Sequence, residues 1–231
     1  MGVYNSPQIV VDGLVLNLDA GNVKSYAGDN SLGTDYGYFG GGHPGPVTTV
    51  DRVDYSSDTS TAAAKGPLSQ ARFGGGSAGN ANYGWIGAGY GPGTVTSTVD
   101  RIDYANDTPT TPARGPLSTD KAYLAASGNE DYGYFTGGGW DPGTVVDRID
   151  YSNDTATASP KGQLPTVQYG HGGTGNKYFG WFGGAVGNPS GNKTLVQRVD
   201  YSNDTAAATV RGPLAAGAYK TAATSAGIVF S

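Results

Sequence analysis

The stretch Val146-Asp-Arg-Ile-Asp-Tyr-Ser-Asn-Asp-Thr155 is one of four near-copies in this chain, and that repetition constrains the fold more than any other feature. The copies begin at Val50, Val99, Val146 and Val196, in steps of 49, 47 and 50 residues. Seven residues after Asp58, Asp107, Asp154 and Asp204 comes a second signature: Lys65-Gly-Pro-Leu68, Arg114-Gly-Pro-Leu117, Lys161-Gly-Gln-Leu164 and Arg211-Gly-Pro-Leu214. Self-similarity at a fixed period marks one supersecondary unit used repeatedly, each unit burying its faces only against its neighbours. The fold must therefore be an array of like units.

A period of about 40–50 residues suits one four-stranded propeller blade. Within each repeat a short aromatic run meets paired glycines: Tyr36-Gly-Tyr-Phe-Gly-Gly-Gly42, Tyr83-Gly-Trp-Ile-Gly-Ala-Gly89, Tyr132-Gly-Tyr-Phe-Thr-Gly-Gly138 and Tyr178-Phe-Gly-Trp-Phe-Gly-Gly184. These runs are expected to be inner strands, with glycine where the backbone leaves in a conformation other residues avoid. The Val-Asp-Arg segment reads as the next strand. In its second copy Ile102 and Tyr104 share one face of the pleat, and Val99, Arg101 and Asp103 share the other. Ser-Asn-Asp after the tyrosine is turn chemistry. An outer strand of Thr and Ala follows, where a closing proline is tolerable at a sheet edge.

No window shows a 3.6-residue period, so the chain should be almost wholly β, with no helix longer than two turns. The expected fold is an all-β propeller of four blades spanning residues 34–231, with repeats at about 36–82, 83–131, 132–177 and 178–227. Residues 1–33 are expected to form a β-arm, with strands at Gln8–Val11 and Leu14–Leu18 around the Asp12-Gly13 turn. Leu214–Gly227 aligns with Leu164–Gly175, which leads into the fourth repeat, and so reads as a spare strand. Pairing of Tyr219–Ser225 beside Tyr36–Gly40, within the chain or in a neighbour, would leave no open edge to aggregate.

The 40 glycines and 13 prolines recur in register, which separates them from disordered composition, and 16 Tyr with 3 Trp supply buried area. A net charge of −5, with Lys and Arg spread along the repeats, excludes a nucleic-acid surface. The absence of cysteine removes a disulfide framework, a thiolate zinc site and a cysteine nucleophile. Met1–Pro7 shows neither a basic region nor an apolar run, so no secretory signal is expected, and no stretch approaches the length of a membrane span.

Several of these features together resemble the kelch repeat, over about residues 36–227. They are the strand ending in Gly41-Gly42, Tyr55 before the polar turn Ser56-Ser57-Asp58, and Arg72 in the crossing segment after Leu68. Later copies are expected to replace that arginine with Lys121, Gln168 and Tyr219, and Thr or Ala stands where the usual fourth-strand tryptophan would be. The repeated Val-Asp-Arg-Ile-Asp-Tyr-Ser-Asn-Asp-Thr unit also looks like repeats in virion proteins of tailed phages of marine cyanobacteria. Val11–Asn22 resembles the first strand of laminin-G or concanavalin-like domains in phage structural proteins.

The resemblance implies a non-enzymatic virion structural protein: a tail fibre, head fibre or decoration protein resident on the particle. It would dock to other virion proteins through residues 1–33, form a homo-oligomer, and take a host glycan or receptor as a further partner. One alternative is a carbohydrate-binding lectin propeller; another is a hydrolase or oxidase propeller.

Arg52/Asp54, Arg101/Asp103, Arg148/Asp150 and Arg198/Asp200 are present in every copy, and are expected to be structural ties between blades. Roles needed once per blade are architectural more often than catalytic, though a charged ring lining the propeller is the alternative. The loops after the glycines carry His43-Pro-Gly, Tyr90-Gly-Pro-Gly, Trp140-Asp-Pro-Gly and Val186-Gly-Asn-Pro at one phase. His43, Tyr90, Trp140, Asp141 and Asn188 are the candidate binding residues, since variable loops on a rigid scaffold are where recognition resides. A ring beside Asp or Asn suits a sugar face or another protein.

No catalytic residues, cofactor or metal are expected. The two histidines, His43 and His171, fall at different phases, and the Asp-Tyr-Ser-Asn-Asp spacing lacks the glycine and distal glutamate of a calcium loop. A cysteine-crosslinked tyrosine of the galactose-oxidase kind is impossible, and Glu130 is the sole glutamate. Asn106, Asn153, Asn203 and Asn192 match the N-glycosylation pattern, but turn geometry already accounts for the first three.

Overall fold

The computed structural model describes residues 36–139, 143–186 and 191–224. The β-arm expected over residues 1–33 lies outside the described residues. Within them the strands form four antiparallel sheets. The first sheet has three strands, β1 (Tyr36–Gly40), β2 (Val50–Asp54) and β3 (Ala63–Ala64), paired in chain order. The second is β4 (Gly76–Gly79), β5 (Tyr83–Tyr90), β6 (Val95–Asp103) and β7 (Ala113–Arg114). The third is β8 (Ala125–Gly128), β9 (Tyr132–Thr136), β10 (Val146–Asp150) and β11 (Ser159–Pro160). The fourth is β12 (Gly172–Gly175), β13 (Phe179–Gly183), β14 (Val196–Asp200) and β15 (Thr209–Arg211). The only helices among the described residues are single 3-10 turns at Tyr55–Ser57, Tyr151–Asn153 and Tyr201–Asn203.

The sheets are out of step with the sequence repeats. The aromatic runs expected innermost are second strands; the first strands are β4, β8 and β12, built from Gly, Ala, Ser and Thr. The reason is space, because first strands of successive blades lie against one another. A Cβ on Gly173 would collide with Ala126 O, and one on Gly76 would press on Ala126 and Leu124. Only small residues fit. Each first strand is supplied by the segment that crosses over from the preceding blade.

Each of the three hydrophobic clusters lies between two blades. Val50 and Leu68 of blade one meet Ile86 and Ile102 of blade two. Trp85, Val99 and Leu117 meet Phe135, Ile149 and Ala158, and Tyr134, Val146 and Leu164 meet Phe182, Val199 and Ala208. At each junction a ring from the second strand stacks on the turn tyrosine of the next blade. These pairs are Tyr38–Tyr104 at 5.1 Å, Trp85–Tyr151 at 3.8 Å and Tyr134–Tyr201 at 4.4 Å between centroids. Such pairs add about 0.5–1.5 kcal/mol beyond the area they bury. The turn tyrosine also explains the glycine in each Tyr-Gly-aromatic run: a Cβ on Gly84 would lie 2.7 Å from the Tyr104 hydroxyl of its own blade.

Within the single chain, pairing of Tyr219–Thr224 beside β1 is not found among the described residues. Ser225 lies outside the described residues, and Tyr219–Thr224 stays with blade four. Lys220 N donates to Gly170 O at 2.7 Å and Thr221 Oγ1 donates to Gly183 O at 2.9 Å. Among the described residues β1 pairs as a strand with β2.

Candidate functional site

Three blade junctions are built from residues that recur along the chain. Arg52 Nη1 lies 2.9 Å from Asp107 Oδ2, Arg101 Nη1 3.0 Å from Asp154, and Arg148 Nη1 2.8 Å from Asp204, each acceptor one blade further on. The same carboxylates accept from the stacked rings: Tyr38 OH at 2.9 Å, Trp85 Nε1 at 3.0 Å and Tyr134 OH at 3.0 Å. Lys65, Arg114 and Lys161 approach them at 3.2, 3.5 and 3.7 Å. Burial opposes the charge on Asp107, but hydrogen bonds from Tyr38 and Lys65, with Arg52 close by, hold its carboxyl below the ordinary value.

Asp54, Asp103, Asp150 and Asp200 are not partners in these ties, contrary to the expectation that each would act beside its arginine. The chain turns immediately after them, and their carboxylates take the free N–H groups of that turn. Asp54 accepts from Ser56 N at 2.9 Å, Asp103 from Ala105 N at 3.0 Å, Asp150 from Ser152 N at 2.9 Å and Asp200 from Ser202 N at 3.0 Å. Asp107, Asp154 and Asp204 were missed as the arginines' acceptors. Their recurrence at one phase, where Ser or Asn alone would make the turn, was the available sign.

At the loop end of the blades, residues from two loops and two crossing segments converge. Phe73 and Tyr90 exchange backbone hydrogen bonds at 3.0 and 2.8 Å, which fixes the loop of blade two against the preceding crossing segment. Around Phe73 stand His43 at 5.1 Å, Tyr90 at 5.4 Å and Tyr123 at 6.1 Å, His43 and Tyr123 presenting edge to face. His43 is exposed and the other three are half-buried, so the patch offers ring faces with polar tips to solvent. His43 and Tyr90 were the sequence candidates; Phe73 and Tyr123 join them because crossing segments end where the loops begin. Trp140, Asp141 and Asn188 lie outside the described residues.

No protein-family model matches this chain, and no curated protein matches it. Among solved structures it is similar to YjhT, a kelch-repeat β-propeller protein, with a TM-score of 0.63 at 14% identity over 80% of this chain. The fold is a kelch-type β-propeller. The match spans 64% of the length of YjhT.

The kelch-type arginine, Arg72, forms a buried ion pair with Asp100, whose carboxylate also accepts from Ser69 N at 3.0 Å. Lys121 Nζ lies 2.8 Å from Asp147 Oδ2 in the corresponding pair, both side chains fully buried. Burial lowers the pKa of each cation, and the facing aspartate offsets part of that. At the third junction both members become amides, Gln168 and Gln197, so the charge is removed as a pair. The counterpart in the last crossing is Ala218, not Tyr219: Gly42, Gly89, Gly138 and Ala185 donate to the carbonyls of Arg72, Lys121, Gln168 and Ala218.

His171 is buried, its Nε2 2.9 Å from Thr136 Oγ1, and burial pushes its pKa down to about 4. It is a neutral packing group at pH 7. Among the described residues no three His, Cys, Asp or Glu side chains are grouped to hold a metal ion.

Proposed function

We propose that this propeller is a non-enzymatic structural and recognition protein, of the kind its repeats resemble in tailed-phage virions, and that it engages its partner through the loop-end rings. The observation that carries this reading is the division of labour among the side chains. Arg52, Arg101 and Arg148 are engaged between blades, whereas His43, Phe73, Tyr90 and Tyr123, which do not repeat in kind, gather on one open end. Flat rings flanked by polar tips suit the apolar face of a sugar as well as a protein surface.

A glycan array and a virion pull-down test the two partner classes. His43→Ala combined with Tyr90→Ala should abolish capture while urea unfolding stays a single cooperative transition. Binding that survives the double substitution would refute the assignment. Mass spectrometry of purified particles decides the virion reading, which fails if the protein is absent from them.

A further inference from the structure

The junctions inside this propeller are built from two complementary half-sets, and one of each is left over. The preceding blade contributes a ring that stacks and donates, an arginine, a second cation, a glycine N–H and a carbonyl. The following blade contributes the turn tyrosine, the aspartate and a backbone N–H. Thus Gly66, Gly115 and Gly162 donate to the carbonyls of Asp107, Asp154 and Asp204 at 2.9, 2.8 and 2.7 Å. Thr111, Ala158 and Ala208 donate back to Pro67, Pro116 and Gln163 at 2.8, 2.8 and 3.0 Å. Each of those glycines must be glycine, since a Cβ would strike a carbonyl oxygen of the next blade: Pro109, Ala156 or Ala206.

Blade four carries the whole first half-set, and among the described residues no second half-set faces it. Trp181 stands where Trp85 and Tyr134 stand, but is only half-buried, and its indole N–H meets no acceptor among the described residues. Arg198 is held over the Phe179 ring at 4.1 Å, as Arg101 is over Tyr83 at 4.3 Å, yet among the described residues it makes no ion pair with a carboxylate. Arg211 is exposed, and nothing lies near a Cβ built on Gly212, although glycine is kept there.

Blade one carries the second half-set, equally bare. Tyr55 is 63% exposed where Tyr201 is 9%, and Phe39 is 65% exposed where Phe135 and Phe182 are fully buried. Asp58, counterpart of Asp107, Asp154 and Asp204, is exposed and makes no ion pair among the described residues. A cavity of 590 Å³ borders β1, lined by Tyr36–Gly42 and Phe73–Gly79, where the other blades have their first strand. The missing strand has a match. Ala222 follows Leu214 by the same interval that separates Gly76 from Leu68 and Ala125 from Leu117, and Thr221 and Ala223 already lie against Gly172.

We propose that the face of blade four docks head to tail on the face of blade one of a second copy of this chain, with Ala222–Thr224 adding as the first strand beside β1 of that copy. Trp181 then stacks on Tyr55 and, with Arg198 and Arg211, donates to Asp58, repeating the chemistry of the three internal junctions. The match is residue by residue, and a foreign protein would have to reproduce this chain's own turn to make it. The contact is heterologous, so its rotation decides whether copies close into a ring or continue as a filament. It does not depend on the loop-end reading above, although Phe73 borders both surfaces.

Native mass spectrometry and sedimentation of the full chain test it. The wild type should run at a multiple of 23.5 kDa. Asp58→Arg alone and Arg198→Asp alone should each fall to the single-chain mass with an unchanged near-ultraviolet spectrum, and the exposed Arg211→Asp should do the same if Arg198→Asp misfolds. Mixing the two variants should restore association, because Asp58→Arg keeps the face of blade four intact and Arg198→Asp keeps that of blade one. A wild type at single-chain mass, a variant that keeps the wild-type assembly, or a mixture that stays monomeric would each overturn the proposal.

Discussion

Replacing Asp154 by alanine isolates what one junction is worth. The side chain is 6% exposed and accepts from Trp85 Nε1 and Arg101 Nη1, both at 3.0 Å, with Arg114 Nε at 3.5 Å. Losing it strands the N–H of a fully buried indole, which costs about 1–3 kcal/mol. The two arginine side chains are each 21% exposed, so water takes over part of their solvation and each pair counts for about 1 kcal/mol or less. The expected loss is about 2–4 kcal/mol, or roughly 4–16 °C in the melting midpoint at the usual sensitivity of a chain this size. Urea titration with an unchanged slope gives the difference directly. Asp103→Ala, which removes only a turn cap, should cost about 0.5–2 kcal/mol, and Asp58→Ala in the monomeric chain less than about 0.5 kcal/mol. Equal losses at Asp154 and Asp58, or a larger loss at Asp103, would refute the junction account.

Gly115→Ala should destabilise strongly because its Cβ would meet Ala156 O, whereas Gly212→Ala should leave the urea midpoint of the monomer unchanged. Gln197→Asp buries an unpaired carboxylate and should cost about 3–5 kcal/mol; adding Gln168→Lys should recover about 1–3 kcal/mol by restoring the pair found at Lys121–Asp147, measured as a double-mutant cycle. His171 binds its proton more weakly folded than unfolded, so its contribution is complete above pH 6.5 and is lost as pH falls towards about 4. His171→Gln should flatten the stability profile in that window, and an unchanged acid slope would show that other groups control it.

The four-fold repeat, the aromatic and Val-Asp-Arg strands and the polar turn were legible from residues alone, because strand alternation and turn chemistry act over a few neighbours. Which groups pair across repeats was not. A periodic sequence places an arginine two residues from one aspartate and about one repeat from the next, and periodicity cannot choose between them. Arg101 meets Asp154, 53 residues on, because Asp103 is consumed by its own turn while the stacking of Trp85 on Tyr151 brings the next blade's turn within reach. The same packing set the small-residue strands at the centre, joined Phe73 and Tyr123 to His43 and Tyr90, and left Trp181 and Tyr55 facing outward on opposite ends. Local chemistry determined the blade; only blade-on-blade contact decided which copy of each residue is satisfied and which is left open.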